Sequence, residues 1–503
     1  MANPIFDKLM QPWLDSPAVF LKLQDGGLMS HAAFFRRVAQ YANAVASLGL
    51  HPGDRLAAQI EKSPQTLALY LGCVQAGVIF LPLNTAYTDA EFSYFVEDSG
   101  ARVLVCDATR QAGLQGVADA CGAQLMTLNA DGGGAMADLA DQQASNAPVV
   151  DRQEDDIAAL LYTSGTTGRS KGAMLTHKNL VSNAMILKDL WQFSADDMLL
   201  HALPVYHTHG LFVATFTTLA AGGGMIFLPK FDTDVICDLL PDATAMMGVP
   251  TFYTRLLGSA RFDRDLVRNM RLFISGSAPL LAETHVQFEE RTGHRILERY
   301  GMTETNMSTS NPYDAERRAG TVGFALPGVE AKITDPATGA ELPTGEIGVL
   351  EVRGDNVFKG YWNMPEKTKE ELREDGFFIT GDLAKKDKDG YFQIVGRGKD
   401  LIISGGFNIY PKEVEQILDD QPHVLETAVI GVPHPDFGET VVAVVARKAG
   451  EEPDVAQMET AVATDLARFK HPRKYIVVDA LPRNTMGKVQ KNALRQDYAD
   501  LFA

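Results

Sequence analysis

The sequence predicts an α/β fold, with a large N-terminal domain of layered α/β sheets plus a β-rich layer and a small α+β C-terminal domain. Three observations predict it. The chain has 503 residues, 46% of them hydrophobic, which is more than a single core usually holds, so at least two domains are expected. From Thr66 onward, apolar helical stretches alternate with short strands rich in Val, Ile and Leu, the pattern of mainly parallel sheets. Beyond Thr321 the texture changes to short strands and turns, and after Gly396 a compact pattern of strands and helices begins.

The elements follow in order. Leu67 to Leu83 is the most apolar stretch, but Gly72, Gln75, Gly77 and Pro82 deny it the length and purity of a membrane span. It reads as a buried helix followed by the strand Val78 to Leu81. Further strands are expected at Val103 to Cys106, Ala158 to Tyr162, Met225 to Leu228 and Leu272 to Ser275. Asn129 to Pro148, with Gly132, Gly133 and Gly134, is polar and turn-rich and reads as a surface loop. Gly348 to Arg353 and Tyr391 to Val395 are strands of the β-rich layer that closes the large domain. A strand near Leu401 opens the small domain, and a helix from Pro411 to Asp419 starts on its proline. Strands at Glu426 to Val432 and Val441 to Arg447 follow. A helix fits Val455 to Phe469, where Val455, Met458, Val462, Leu466 and Phe469 share one face. The boundary is placed at Lys399, giving domains 1–398 and 399–503. No internal repeat is found.

A net charge of −18 argues against a nucleic-acid surface, and no long basic run offsets it. A small anion stays admissible, because a few local cations and backbone N–H groups can hold one whatever the total charge. Cys73, Cys106, Cys121 and Cys237 are scattered, with no metal-like spacing, and read as buried thiols. Met1 to Trp13 lacks a basic region followed by an apolar core, so no secretory signal and no membrane partner are expected, and a cytoplasmic location is the default.

The sharpest chemical signal is the segment Tyr162 to Gly172, directly after a predicted strand. Thr163, Ser164, Thr166, Thr167 and Ser170 supply hydroxyls, Gly165, Gly168 and Gly172 permit close backbone approach, and Lys171 adds a point charge. Such a loop surrounds phosphate oxygens. The order does not fit G-x-x-x-x-G-K-[ST], so an ordinary P-loop phosphohydrolase is disfavoured. An ordinary Gly/Ser/Thr turn is the plainer alternative.

The loop resembles the phosphate-binding motif of the adenylate-forming superfamily, which includes acyl-CoA synthetases, luciferases and peptide-synthetase adenylation domains; Ser170 stands where many members carry Pro. Four further segments match in order: Tyr300-Gly301-Met302-Thr303-Glu304, Thr380-Gly381-Asp382, Gly396-Arg397-Gly398-Lys399-Asp400, and Pro482 to Arg495 containing Gly487-Lys488. The resemblance covers nearly the whole chain. It implies an enzyme that forms an acyl-adenylate from ATP and passes the acyl group to coenzyme A. It assigns the ATP site to Thr163, Ser164, Gly165, Thr166, Thr167, Gly168, Lys171, Ser277, Ala278, Glu298, Tyr300, Gly301, Met302, Thr303, Asp382 and Arg397. Glu304 and Thr167 would hold Mg²⁺ on the phosphates. Asp382 would accept from the ribose hydroxyls. Lys488 would stabilise the charge that develops as pyrophosphate leaves, although a Gly-Lys near a terminus is by itself a solvated turn; Lys491 stands where the family often has Arg. The small domain is expected to be mobile about Lys399. Ser404, Gly405 and Gly406 would line the CoA tunnel, where the plainer alternative is a hairpin turn. A lysine-acylating regulator acting on Lys488 is a further partner implied in this way.

Arg299 falls at a position that in the family lines the acyl pocket, and an arginine there makes the pocket anion-binding. Arg255 lies on a second segment able to reach the same cavity. The plainer alternatives are a pair between Arg299 and Glu298, and a surface helix charge for Arg255. His207 matches the family's gate beside the acyl site, and neighbouring His209 needs no metal to explain it. Thr208, Ser277 and Met307 complete the expected acid pocket. Together these features resemble the malonyl-CoA synthetase branch, in which a dicarboxylic acid, malonate or methylmalonate, is the substrate. The alternatives are a medium-chain or aromatic acyl-CoA ligase, a luciferase-like oxygenase, and an adenylation enzyme with a carrier-protein acceptor. The absence of a carrier domain before Ala503 and the tunnel glycines favour a free thiol.

Overall fold

Ser63, after the strand Arg55–Gln59, caps the helix Pro64–Ala76, its Oγ accepting from the Thr66 N–H at 3.2 Å. Pro64 in the first turn has no N–H to leave unpaired, and Gly77, left-handed at φ +72°, ends the helix. The following strand, Ile79–Pro82, then pairs in parallel with Arg55–Gln59. Repetition of this unit builds a six-stranded sheet in the order Gln124–Thr127, Val103–Cys106, Arg55–Gln59, Ile79–Pro82, Ile157–Thr163, Lys171–Thr176. Its first five strands are parallel.

The computed structural model describes residues 2–163, 170–278, 280, 282–335, 338–397, 402–409, 411–482 and 489–502, without the side chains of residues 283, 395–397, 408, 412 and 416. A second sheet has nine strands in the order Phe324–Ala325, Asn306–Ser310, Leu297–Met302, Leu272–Ser275, Ala245–Gly248, Met198–His201, Gly224–Phe227, Val19–Leu23, Leu28–Ser30. From Leu297–Met302 to Val19–Leu23 the strands are parallel, and antiparallel strands complete both edges. Four of the six parallel strands are buried at every position or at all but the first, as expected for a sheet covered on both faces. The expected β-rich layer is a four-stranded sheet in the order Val329–Thr334, Gly348–Gly354, Phe378–Lys386, Phe392–Arg397.

By packing, Met1–Thr85, Val96–Leu161 and Gly172–Gly396 form one compact unit, and Ala86–Phe95, Tyr162–Lys171 and Arg397–Ala503 a second. In the second unit, the long strands Val424–His434 and Gly438–Arg447 pair as a hairpin, joined by Ile402–Ser404, Phe407–Ile409 and Lys474–Val478. Alternation along Gly438–Arg447 feeds two cores: Val441, Ala443 and Val445 pack with the helices Pro411–Asp419 and Val455–Asp465, while Val442, Val444 and Ala446 pack with Leu481 and Leu494.

Two expectations are corrected. The segment from Asn129 to Pro148 is not all loop, because Ala135–Asp141 is a helix that buries Met136, Ala137 and Ala140. The helix expected to reach Phe469 ends at Asp465, where Leu466 turns extended at φ −125°, ψ 152°. Cys73, Cys106 and Cys237 are buried and Cys121 partly so, all as free thiols. Among the described residues, no helix is long and apolar enough to cross a membrane.

Candidate active site

The strand Leu297–Met302 carries the centre of the site. Glu298 and Arg299 are neighbours on it and both are buried, but alternation sends them to opposite faces. They do not pair. Glu298 Oε1 accepts from the Leu280 N–H at 3.3 Å, and burial raises its carboxyl pKa to about 8. Arg299 is 3% exposed, and its Nε and Nη2 have no hydrogen-bond partner among the described residues. Burial pushes its guanidinium pKa down to about 9, against the opposing effect of Tyr253. A buried cation without a counter-charge is costly. Nε and Nη2 form the side-on edge of the guanidinium, the geometry that grips a carboxylate with two charge-assisted hydrogen bonds.

Further residues of the site come from three other segments. Gly276 follows the strand Leu272–Ser275, and a Cβ there would lie 2.3 Å from Arg299 Cζ, so only glycine leaves room for the guanidinium. Ser277 is left-handed at φ +69°, and its Oγ lies 3.1 Å from His209 Nδ1. His207 and Thr208 lead into a π-helical turn, His209–Ala214, of the kind that clusters at functional sites. Burial, reinforced by the Arg299 charge, holds His207 near a pKa of about 4 and His209 well below its usual range. Both rings are therefore neutral at pH 7. Thr208 is buried, and Thr208 Oγ1 and His209 Nε2 have no hydrogen-bond partner among the described residues. Met307 is buried on the strand Asn306–Ser310 and pairs in register with Gly301, at which a Cβ would meet Met307 Cε at 2.7 Å.

The structure does not bring Arg255 into this group. On the helix Pro250–Leu257 the buried residues are Phe252, Tyr253 and Leu256; Arg255 is exposed, 5.9 Å over the ring of Phe231. The surface alternative holds for it, and the inward residue that interacts electrostatically with Arg299 is Tyr253, whose hydroxyl donates to Ile274 O at 2.5 Å. Tyr253 was not selected from sequence, although its place two residues before Arg255 on the opposite face was the available signal.

On the nucleotide side, the Tyr300 hydroxyl donates to Asp382 Oδ2 at 2.5 Å. Asp382 is buried on the strand Phe378–Lys386, after the left-handed Gly381 at φ +72°, and its N–H donates to Thr380 Oγ1 at 3.1 Å. Glu304 is buried, and its Oε1 accepts from the Tyr361 hydroxyl at 3.0 Å; Tyr361 also lies 2.6 Å from Glu371 Oε2. Burial and these two carboxylates drive the Tyr361 pKa far up. Tyr361 is a second residue that sequence reading missed, since nothing local joins it to Glu304. Met302, Thr303 and Ala278 are partly buried. No cluster of three or more metal-binding side chains occurs among the described residues. A lone hard carboxylate such as Glu304 nonetheless fits Mg²⁺, which takes one or two carboxylates and completes its shell with water and substrate phosphates.

In the second unit, Thr163 ends its strand partly buried and Lys171 begins the next strand buried. Ser404 closes the strand Ile402–Ser404, and Gly405 and Gly406, at φ +57° and +84°, make the two-residue turn to Phe407–Ile409. That is the hairpin geometry with two left-handed residues. Ser164, Gly165, Thr166, Thr167, Gly168, Lys399 and Lys488 lie outside the described residues, as does the side chain of Arg397.

The sequence matches the AMP-binding enzyme family over residues 6–362, and the AMP-binding enzyme C-terminal domain over residues 413–488. The chain belongs to the AMP-binding enzymes. Malonate–CoA ligase of Arabidopsis thaliana is 36% identical to it, covering 88% of this chain and 78% of that protein. Feruloyl-CoA synthase of an Amycolatopsis species is 35% identical, covering 96% of each. The crystal structure of ATP-bound MatB from Rhodopseudomonas palustris is 56% identical and covers 100% of each chain, with a TM-score of 0.80. This AMP-binding enzyme is an AMP-forming acyl-CoA synthetase, with ATP and coenzyme A as the substrates that such ligases share.

Proposed function

We propose that this synthetase activates a short dicarboxylic acid, malonate and with it methylmalonate, to the corresponding CoA thioester. The observation that carries the reading is the buried Arg299 guanidinium, whose Nε and Nη2 have no hydrogen-bond partner among the described residues. A distal carboxylate on that edge neutralises the charge and accepts both bonds. Thr208 Oγ1 and His209 Nε2 offer further polar contacts, and the neutral His207 adds no competing charge. The relatives named above include both a malonate and a ferulate enzyme, so support for the acid comes from the arginine and not from the family.

In this reading, Arg299 fixes one carboxylate and leaves the other to attack the α-phosphorus of ATP. The new O–P bond forms as the bond to pyrophosphate breaks, and Lys488 stabilises the charge on the departing group. Glu304 together with Thr167 would hold Mg²⁺, which would supply positive charge at the phosphates. Asp382, fixed by Tyr300, accepts from the ribose hydroxyls, with Arg397 on the other side. The CoA thiolate then attacks the acyl carbon of the adenylate and AMP leaves, after residues 399–503 turn about Lys399 to bring Ser404, Gly405 and Gly406 to the thiol. Thr208 and Met307 border the C2 substituent and set how well methylmalonate is accepted.

The test compares malonate with butyrate in the wild type and in Arg299→Ala. Loss of one partner of a desolvated charge pair costs roughly 2–5 kcal/mol, so kcat/KM for malonate should fall by about two orders of magnitude or more while butyrate loses far less. Parallel loss on both acids, or a wild type that prefers butyrate, returns the protein to the general acyl-CoA ligases.

A further inference from the structure

Lys62 sits between the strand Arg55–Gln59 and the helix Pro64–Ala76, at the carboxyl end of the six-stranded sheet. It is buried, lies 4.2 Å over the ring of Phe227, and has no carboxylate partner among the described residues. Its two polar contacts both go to one residue of the nine-stranded sheet. Nζ donates to His201 O at 2.7 Å and lies 2.8 Å from His201 Nδ1. His201 is buried at the end of the strand Met198–His201, and its Nε2 lies 2.9 Å from Gly210 O.

Chemistry fixes the protons in this chain of contacts. A carbonyl only accepts, so His201 Nε2 carries the hydrogen that faces Gly210. Nδ1 of that neutral ring is then an acceptor, and the Lys62 amine supplies the matching donor. Without Lys62, the ring is free to carry its hydrogen on Nδ1, which would set the Nε2 lone pair against the carbonyl. Burial lowers the Lys62 and His201 pKa values well below their usual ranges, in keeping with a chain of neutral hydrogen bonds.

Gly210 ties this pair to the acid pocket. It lies in the π-helical turn directly after His209, and there is no space for a side chain on it, since a Cβ would stand 2.0 Å from Pro204 O. Its carbonyl also accepts from Thr215 Oγ1 at 2.8 Å, so both lone pairs are engaged and the turn is held at its first residues. His209 in turn reaches Ser277 and feels the Arg299 charge. We propose that Lys62 and His201 are positioning residues for the acid pocket, with Lys62 holding His201 in the Nε2–H tautomer that anchors Gly210 O and thereby sets His209 beside Arg299. The proposal rests on the reading of Arg299 as the acid-binding group.

The test uses the full-length enzyme with Lys62→Met, His201→Asn and His201→Gln. Asparagine keeps an atom near Nδ1 but loses the donor to Gly210, whereas the glutamine amide reaches the Nε2 position and keeps it. Lys62→Met and His201→Asn should raise KM for malonate about tenfold or more, with KM for ATP within about twofold of wild type, and His201→Gln should stay near wild type. In ¹⁵N spectra of histidine-labelled wild type, assigned with a His201 variant, His201 should be a neutral ring with its hydrogen on Nε2. Equal loss for ATP and malonate, an unchanged malonate KM, an Nδ1–H or protonated ring, or loss of fold in all three variants each overturns the proposal. If the wild type prefers another acid, KM for that acid is the readout, so failure of the malonate reading and failure of the positioning role are separate results.

Discussion

A side chain at Gly276 and the guanidinium of Arg299 would occupy the same space, with a Cβ on Gly276 standing 2.3 Å from Arg299 Cζ and Nη1. Gly276→Ala should therefore displace Arg299 without removing it. The ratio of malonate to butyrate turnover should fall at least about tenfold, because a bidentate grip on a carboxylate tolerates little displacement. Butyrate turnover serves as the control for damage to the nearby nucleotide site, and an unchanged ratio would mean that Arg299 does not hold the distal carboxylate.

Arg299 should also limit stability in the absence of acid. Replacing an unpaired buried charge with an apolar side chain of similar length relieves a desolvation cost of several kcal/mol. Arg299→Met is expected to raise the Tm of the acid-free enzyme, by on the order of 1–4 °C for a unit of this size, and the malonate protection expected of the wild type should be lost in the variant. A lower Tm in the variant would show that the guanidinium is satisfied in solution.

Glu298 gives the fold a pH dependence. Its folded pKa of about 8 lies above the unfolded value, so the native state holds a proton that the unfolded chain releases. The stability it contributes is fully present below about pH 4.3 and is lost as pH rises toward 8. Glu298→Gln keeps a neutral side chain throughout. The variant should match the wild type near pH 4 and unfold at higher temperature at pH 8 and above; equal melting profiles across that range would contradict the assignment.

The two half-reactions should separate by mutation. Lys488→Ala is expected to abolish malonate-dependent pyrophosphate exchange while keeping thioester formation from a supplied malonyl-adenylate. Lys399→Pro should do the reverse, since a fixed φ hinders rotation. An unimpaired exchange rate in Lys488→Ala removes that lysine from the first step, and equal loss of both half-reactions in Lys399→Pro removes the hinge.

Strands such as Val103–Cys106 and Leu272–Ser275 were legible to the residue because short apolar runs end there in turn-forming residues. The helix Ala135–Asp141 was not, since three glycines precede it and only Met136, Ala137 and Ala140 mark its buried face. In the site, Arg299 was legible only through the family resemblance, which puts it at an acyl-pocket position directly ahead of Tyr300, where a charge is unusual. Arg255 misled because its helix is too short for the sequence alone to say which face turns inward; tertiary packing gives that face to Tyr253. Tyr361 and Lys62 meet their partners 57 and 139 residues away in sequence, and no local pattern records such contacts.

The π-helical turn at His209–Ala214 is, in evolutionary terms, the mark of one extra residue in an α-helix. Deleting a single position between Leu211 and Ala214 would let the helix close up at 3.6 residues per turn, rotating everything on its amino-terminal side by about 100° and drawing it in by about 1.5 Å. His207, Thr208 and His209 would then present different faces to Arg299 while the sheets behind them stayed in place. A lineage could thus exchange one class of acid for another by a single codon gain or loss, leaving the nucleotide machinery unaltered.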